Sequence, residues 1–83
     1  MSARNIIIYT IHPDEWPCEY CDKAKAWLSE RGLKYEERPL FVDEREAFYR
    51  ECFINGKQRT MPQIFINGTR IGGYAELKEM EDL

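Results

Sequence analysis

The sequence predicts an α/β fold, a four-stranded mixed sheet flanked by three helices. Three observations carry that expectation. Apolar runs of strand length alternate with segments of helical period, in the order β-α-β-α-β-β-α. A helix separates the first two strands, and such a crossover makes them parallel. Only Asn67-Gly68, a two-residue hairpin signal, separates the last two, which makes them antiparallel.

Arg4 to Tyr9 reads as the first strand, and its Ile6-Ile7-Ile8 run suits a central strand covered on both faces. His12 to Pro17 contains two prolines and no period, so it is a loop. From Glu19 onward, Tyr20, Ala24, Trp27, Leu28 and Arg31 fall at helical spacing, with Trp27 and Leu28 packed inward and Gly32 as the stop. Leu33 to Leu40 reads as a short edge strand with Pro39 near its end. Asp43 and Glu46 have the spacing of an N-cap and its capping-box partner. They predict a second helix that runs to about Phe53 and ends at Asn55-Gly56. Gln63 to Ile66 is the third strand and Thr69 to Ile71 the fourth. Gly72-Gly73 makes a tight turn into a last helix from Tyr74 to Leu83.

The composition bounds the function. At 83 residues the chain is expected to form one domain, residues 1–83, with a small core. Its 12 basic and 15 acidic residues are mixed along the chain, with no basic stripe to neutralise phosphates, so a nucleic-acid partner is not expected. Ile6-Ile7-Ile8 is too short to span a bilayer or to form a signal-peptide core, which leaves no membrane role and the cytoplasm as the default location. The three cysteines, an odd number, argue against a secreted disulfide scaffold.

Two of those cysteines carry the chemistry. Cys18-Glu19-Tyr20-Cys21 sits where the first loop becomes a helix. Backbone N–H groups there have no intrahelical partner, and with the helix dipole they favour a thiolate on the first cysteine. Residues three apart on a helix come close to disulfide range. Cys18 is therefore the candidate nucleophile, and Cys21, one turn in and more buried, the candidate resolving thiol. The alternative for such a pair is half of a zinc site, but only His12 and Cys52 remain as further ligands and neither has the required spacing, so no metal is expected.

Three motifs together, Cys18 to Cys21, Arg59-Thr60-Met61-Pro62-Gln63-Ile64-Phe65-Ile66, and Gly72-Gly73-Tyr74, resemble the glutaredoxins, above all the small phage and bacterial members. The resemblance spans Ile6 to Leu77 and implies the minimal thioredoxin fold. It implies a dithiol oxidoreductase with glutathione as co-substrate and no permanently bound cofactor. Tyr20 matches the aromatic that lines the glutathione groove. Met61 and Pro62 match the residue and cis-proline facing the disulfide, where the Met61 backbone can pair with a bound peptide. Thr60 and Arg59 flank that edge, with Arg59 available to a carboxylate. Gly72, Gly73 and Tyr74 match the loop that meets the γ-glutamyl end of glutathione, and Glu76 is the candidate partner for its amino group. Glu19 stands where the family commonly has proline, and Trp16-Pro17 where many members carry a lysine.

The partners implied are glutathione, disulfide-containing proteins such as ribonucleotide reductase, and a glutathione reductase or thioredoxin reductase system, with the chain acting as a monomer. A second function that the resemblance allows is a glutathione-ligated iron–sulfur carrier. Elsewhere the bland readings are favoured. Cys52 packs as a small hydrophobe and His12 is an ordinary loop residue. Trp16 either lines the site or shields the loop. Glu79, Glu81 and Asp82 form a solvated face.

Overall fold

A computed structural model describes residues 4–80. Strand β1 (Ile6–Ile11) is followed by helix α1 (Glu19–Glu30), β2 (Glu36–Leu40) and α2 (Val42–Glu51). A 3₁₀ turn (Gly56–Gln58) then leads to β3 (Gln63–Ile66), β4 (Thr69–Gly72) and α3 (Tyr74–Lys78). The four strands form one sheet in the order β2-β1-β3-β4. β1 runs parallel to β2 and antiparallel to β3, and β3 pairs antiparallel with β4 across the Asn67-Gly68 turn. This is the four-stranded mixed sheet that the element order predicts and the thioredoxin-like topology that the resemblance implies.

Alternation along the strands divides the core in two. Ile6 and Ile8 of β1 join Ile64 and Ile66 of β3 under α1 and α3, where they meet Ala24, Trp27, Leu28 and Leu77. On the other side, Tyr9 and Phe65 pack against Phe48 and Tyr49 of α2 and against Ile54. The Tyr9 and Phe48 rings lie 4.4 Å apart. Burying a side chain of this size stabilises by roughly 1.5–3 kcal/mol, so the two layers clamp the sheet between the helices.

Several boundaries differ from the sequence expectation. β1 begins at Ile6 rather than Arg4 and reaches Ile11, because its parallel ladder with β2 continues to the Ile11–Leu40 pair. β2 starts only at Glu36. The N-cap of α2 is Phe41, not Asp43, and the reciprocal carboxylate is Glu44, not Glu46: Glu44 Oε1 accepts the Phe41 N–H at 2.9 Å. α2 ends at Glu51, with Phe53 in the left-handed region at φ 55°. α3 closes at Lys78 rather than Leu83. Leu83, with Glu81 and Asp82, lies outside the described residues, while Glu79 is exposed as expected. Among the described residues no helix is long and apolar enough to cross a membrane.

Candidate active site

α1 starts at Cys18, whose extended backbone (φ −132°, ψ 97°) is that of an N-cap. The Cys18 carbonyl accepts the Asp22 N–H at 3.1 Å, and its Sγ accepts the Cys21 N–H at 3.2 Å. A sulfur thus takes the place of the oxygen that a serine or aspartate cap would supply. The same N–H favours negative charge on that sulfur whenever it is a thiolate, and so does the positive end of the helix dipole.

Cys18 and Cys21 are joined as a disulfide, with Cα atoms 5.2 Å apart. Cys18 is half-buried, whereas Cys21 is 2% exposed. Facing them is the segment ahead of β3, where the Met61–Pro62 peptide bond is cis and the Met61 carbonyl lies 4.0 Å from Cys18 Sγ.

A cleft of about 560 Å³ opens beside this edge, lined among others by Tyr20, Thr60, Met61, Pro62, Gly73, Tyr74 and Glu76. The Tyr20 and Tyr74 rings stand 6.4 Å apart, with Lys23 Nζ 5.2 Å from the first ring centroid and Lys78 Nζ 5.0 Å from the second. Gly72 lines a neighbouring cleft that shares Thr60, Gly73 and Glu76 with this one. The Glu76 carboxylate accepts the Gly73 N–H at 2.7 Å and so caps α3. That cap requires glycine at position 72, where φ is 115° and a Cβ would sit 2.7 Å from Glu76 Oε1.

The loop ahead of Cys18 is tied to the start of α2. Glu15 Oε1 pairs with Arg45 Nη1 at 2.6 Å, and Glu15 Oε2 accepts the Val42 N–H at 3.0 Å. The hydrogen bond from Arg45, then that from Val42, holds the Glu15 carboxyl below the usual carboxylate range. The His12 ring stacks on Phe41 at 4.0 Å. Behind the disulfide, Glu37 Oε2 accepts from Thr10 at 2.9 Å and from Lys25 at 3.1 Å. Burial opposes the Lys25 charge, but Glu37 and then Asp22 outweigh it and hold the ammonium above its ordinary range.

The Glutaredoxin family model matches residues 6–71. The chain belongs to the glutaredoxin family. Glutaredoxins are thiol oxidoreductases. Glutaredoxin 1 of Rickettsia felis is 39% identical over 79 residues, covering 92% of this chain and 71% of that protein. Glutaredoxin 3 of Escherichia coli K12 is 36% identical over 77 residues, covering 93% and 86%. The crystal structure of glutaredoxin 1 from Francisella tularensis, complexed with cacodylate, superposes with a TM-score of 0.76 at 37% identity, covering 92% of this chain and 90% of that one.

The glutaredoxin fold brings most of the sequence-predicted site residues to one edge of the sheet, but not all of them in the same way. Arg59 is turned to its own chain: Nε donates to the Ile54 carbonyl at 2.8 Å, and Nη1 pairs with Glu46 at 3.4 Å. Cys52 packs against the α2 layer, where burial, and then Glu51, pushes its thiol up. Sequence reasoning missed Lys23 and Lys78, although each lies one helical turn past the tyrosine it faces, a spacing readable in advance. It also missed Glu15, whose partners are 27 and 30 residues away and leave no local signal.

Proposed function

We propose that this glutaredoxin-family chain is a dithiol oxidoreductase that reduces disulfides with Cys18 as nucleophile and Cys21 as resolving thiol, and that glutathione regenerates it. One observation carries the reading: the Cys18 sulfur caps α1 on the Cys21 N–H and is bonded to the Cys21 sulfur. In the reduced protein the Cys18 thiolate attacks a substrate sulfur, and the displaced thiolate takes a proton from solvent. Cys21 then loses its proton and attacks Cys18 Sγ, which releases the second substrate thiol and restores the disulfide. Two electrons pass from the dithiol to the substrate. Two glutathione thiols return them in sequence, leaving oxidised glutathione.

The cleft beside Met61 is the proposed glutathione groove. Tyr20, Tyr74 and Pro62 supply its apolar surfaces, Thr60 and Gly73 line it, and the Met61 backbone offers peptide-like hydrogen bonds. Gly72 and Glu76 shape the end of the groove, where Glu76 would face the ligand's amino group. Lys23 and Lys78 bring positive charge to its rim for the ligand's carboxylates. Arg59 takes part only if its bond to Glu46 gives way. Protein disulfides, including that of a ribonucleotide reductase, are the proposed physiological substrates.

Cysteine replacement tests the reading. Cys18→Ser is expected to bring disulfide reduction to background, because a serine hydroxyl is barely ionised and does not attack sulfur. Cys21→Ser is expected to keep turning over glutathione mixed disulfides, which external glutathione can resolve, while losing activity on protein disulfides. An active Cys18→Ser protein would show that the nucleophile lies elsewhere.

A further inference from the structure

Two clefts border the disulfide, and glutathione accounts for one. The other, about 270 Å³, is lined by Cys18 and Cys21 themselves and shares no residue with the Tyr20–Tyr74 cleft. Its apolar walls are Ile11, Pro13, Trp16 and Pro17. At its base Thr10 and Lys25 both donate to Glu37, and Asp22, also in the lining, pairs with Lys25 at 3.6 Å, so those polar groups already have partners. The walls left without a polar partner are the apolar ones, beside the two sulfurs.

Trp16 is the unusual wall. The residue is 66% exposed, although the loop that carries it is firmly held. The neighbouring Glu15 grips α2 with both carboxylate oxygens. The Glu15 and Trp16 N–H groups close a turn on the His12 carbonyl, and the His12 N–H donates to Leu40. Two residues beyond Trp16 the chain is fixed again by the Cys18 cap. A large ring left in water on an anchored backbone is pre-organised for contact, because little ordering entropy is left to lose on binding.

We propose that this cleft is a second substrate subsite, that it takes a bulky apolar side chain flanking the disulfide cysteine of a polypeptide, and that Glu15 is the positioning residue that holds Trp16 there. The inference rests on the oxidoreductase reading above. A polypeptide is the occupant because only a chain extending past its cysteine fills a cleft that the glutathione groove does not touch. The chemistry is the same: Cys18 forms a mixed disulfide with one peptide sulfur, the partner peptide leaves as a thiol, and Cys21 displaces the first.

Two synthetic peptide disulfides test it, each a symmetrical dimer of an eight-residue peptide with one cysteine, flanked on both sides by leucine in one and by glycine in the other. Pre-reduced protein is mixed with each over a range of concentrations, and single-turnover rates are followed by thiol release. The half-saturating concentration is expected to be at least about fivefold lower for the leucine peptide, the effect of partly burying one such side chain. Maximal rates should be similar for the two peptides. Trp16→Ala should erase the preference and Trp16→Phe keep most of it. Glu15→Ala should weaken the preference in the presence of Trp16 and change nothing once Trp16 is alanine. The ratio between peptides is independent of the fraction of protein that is active, so partial misfolding does not imitate the result. Equal half-saturation in the wild type, or a preference that survives Trp16→Ala, overturns the subsite. Equal effects of Glu15→Ala with and without Trp16 overturn the positioning role. Failure of the wild type to reduce bis(2-hydroxyethyl) disulfide would instead overturn the oxidoreductase reading itself.

Discussion

Helices α1 and α2 are built alike at both ends, yet only one of them carries the disulfide. Each begins after an extended N-cap, Cys18 or Phe41. At the start of α2 the backbone donors are committed to carboxylates: Phe41 N–H to Glu44, Val42 N–H to Glu15 and Glu44 N–H to Asp43. At the start of α1 the Cys21 N–H points at sulfur. A helix N-terminus offers the same dipole and the same unpaired donors in both places. The difference lies in the occupant: a carboxylate keeps its charge and its bonds, whereas a sulfur can form a disulfide or stand as a thiolate beside the same donor. The C-termini repeat the lesson. The Gly32 and Leu33 N–H groups bond back to Ser29 and Leu28, and the Phe53 and Ile54 N–H groups bond back to Arg50 and Tyr49. Both are Schellman motifs, one with glycine at φ 67° and the other with phenylalanine at φ 55°.

The largest test of this comparison is mechanical. α1 rests on Leu28, which is fully buried. Leu28→Ala is expected to cost about 2–5 kcal/mol in urea denaturation, through lost transfer energy and a residual cavity. A loss below about 1 kcal/mol would mean that the α1 seat can collapse and that the disulfide is not rigidly placed.

The two Schellman ends sharpen it next. No atom lies within 4 Å of a Cβ built at Gly32, so Gly32→Ala should cost only the backbone penalty, about 1 kcal/mol. Phe53 is 87% exposed, so Phe53→Gly surrenders little packing and should raise stability, by up to about 1 kcal/mol. Thermal melts of both variants check the opposite signs.

A smaller effect is expected from pH. The Glu15 carboxyl is held below its reference of 4.5, chiefly by Arg45. A depressed carboxyl contributes stability above the unfolded value and loses it as pH falls through the folded one. The urea midpoint of Glu15→Gln should therefore lie below that of the wild type at neutral pH. The gap should close as pH drops beneath about 4.5, the ordinary carboxylate value.

The smallest effect concerns Glu19, beside the proposed nucleophile. Its carboxylate lies 3.4 Å from Lys23 Nζ, and both side chains are exposed. Removing its charge should speed alkylation of the reduced Cys18 by less than about twofold at low salt, and not at all at high salt. A larger gain would show that Lys23 does not screen Glu19.

Where the signal was local, the sequence was legible. Gly32 stops α1, Asn67-Gly68 turns β3 into β4, and Ile64 and Ile66 fall on the face that packs under α1. The site motifs were legible for the same reason: Cys18, Cys21, Met61 and Pro62 lie within two short runs, and the fold brings those runs together. The start of α2 was not legible. Asp43 and Glu46 have the capping spacing, but so do Phe41 and Glu44, and Phe41 has no side-chain acceptor to announce it. What selects the true start includes Glu15, 27 residues upstream of Val42. The Arg59 pairing was not legible for a similar reason, since its partner Glu46 sits on another element. The last strand pair of β1, Ile11 with Leu40, likewise depends on a neighbour that no window of sequence contains.

At the far edge of the sheet, β2 reads Glu36, Glu37, Arg38, Pro39. A strand from another molecule laid along that edge would meet charges of both signs and, at Pro39, a position with no N–H to give. Cross-β stacking is therefore disfavoured on that side. Of the two edges of the sheet, the one at β2 thus carries its own guard against pairing with another molecule.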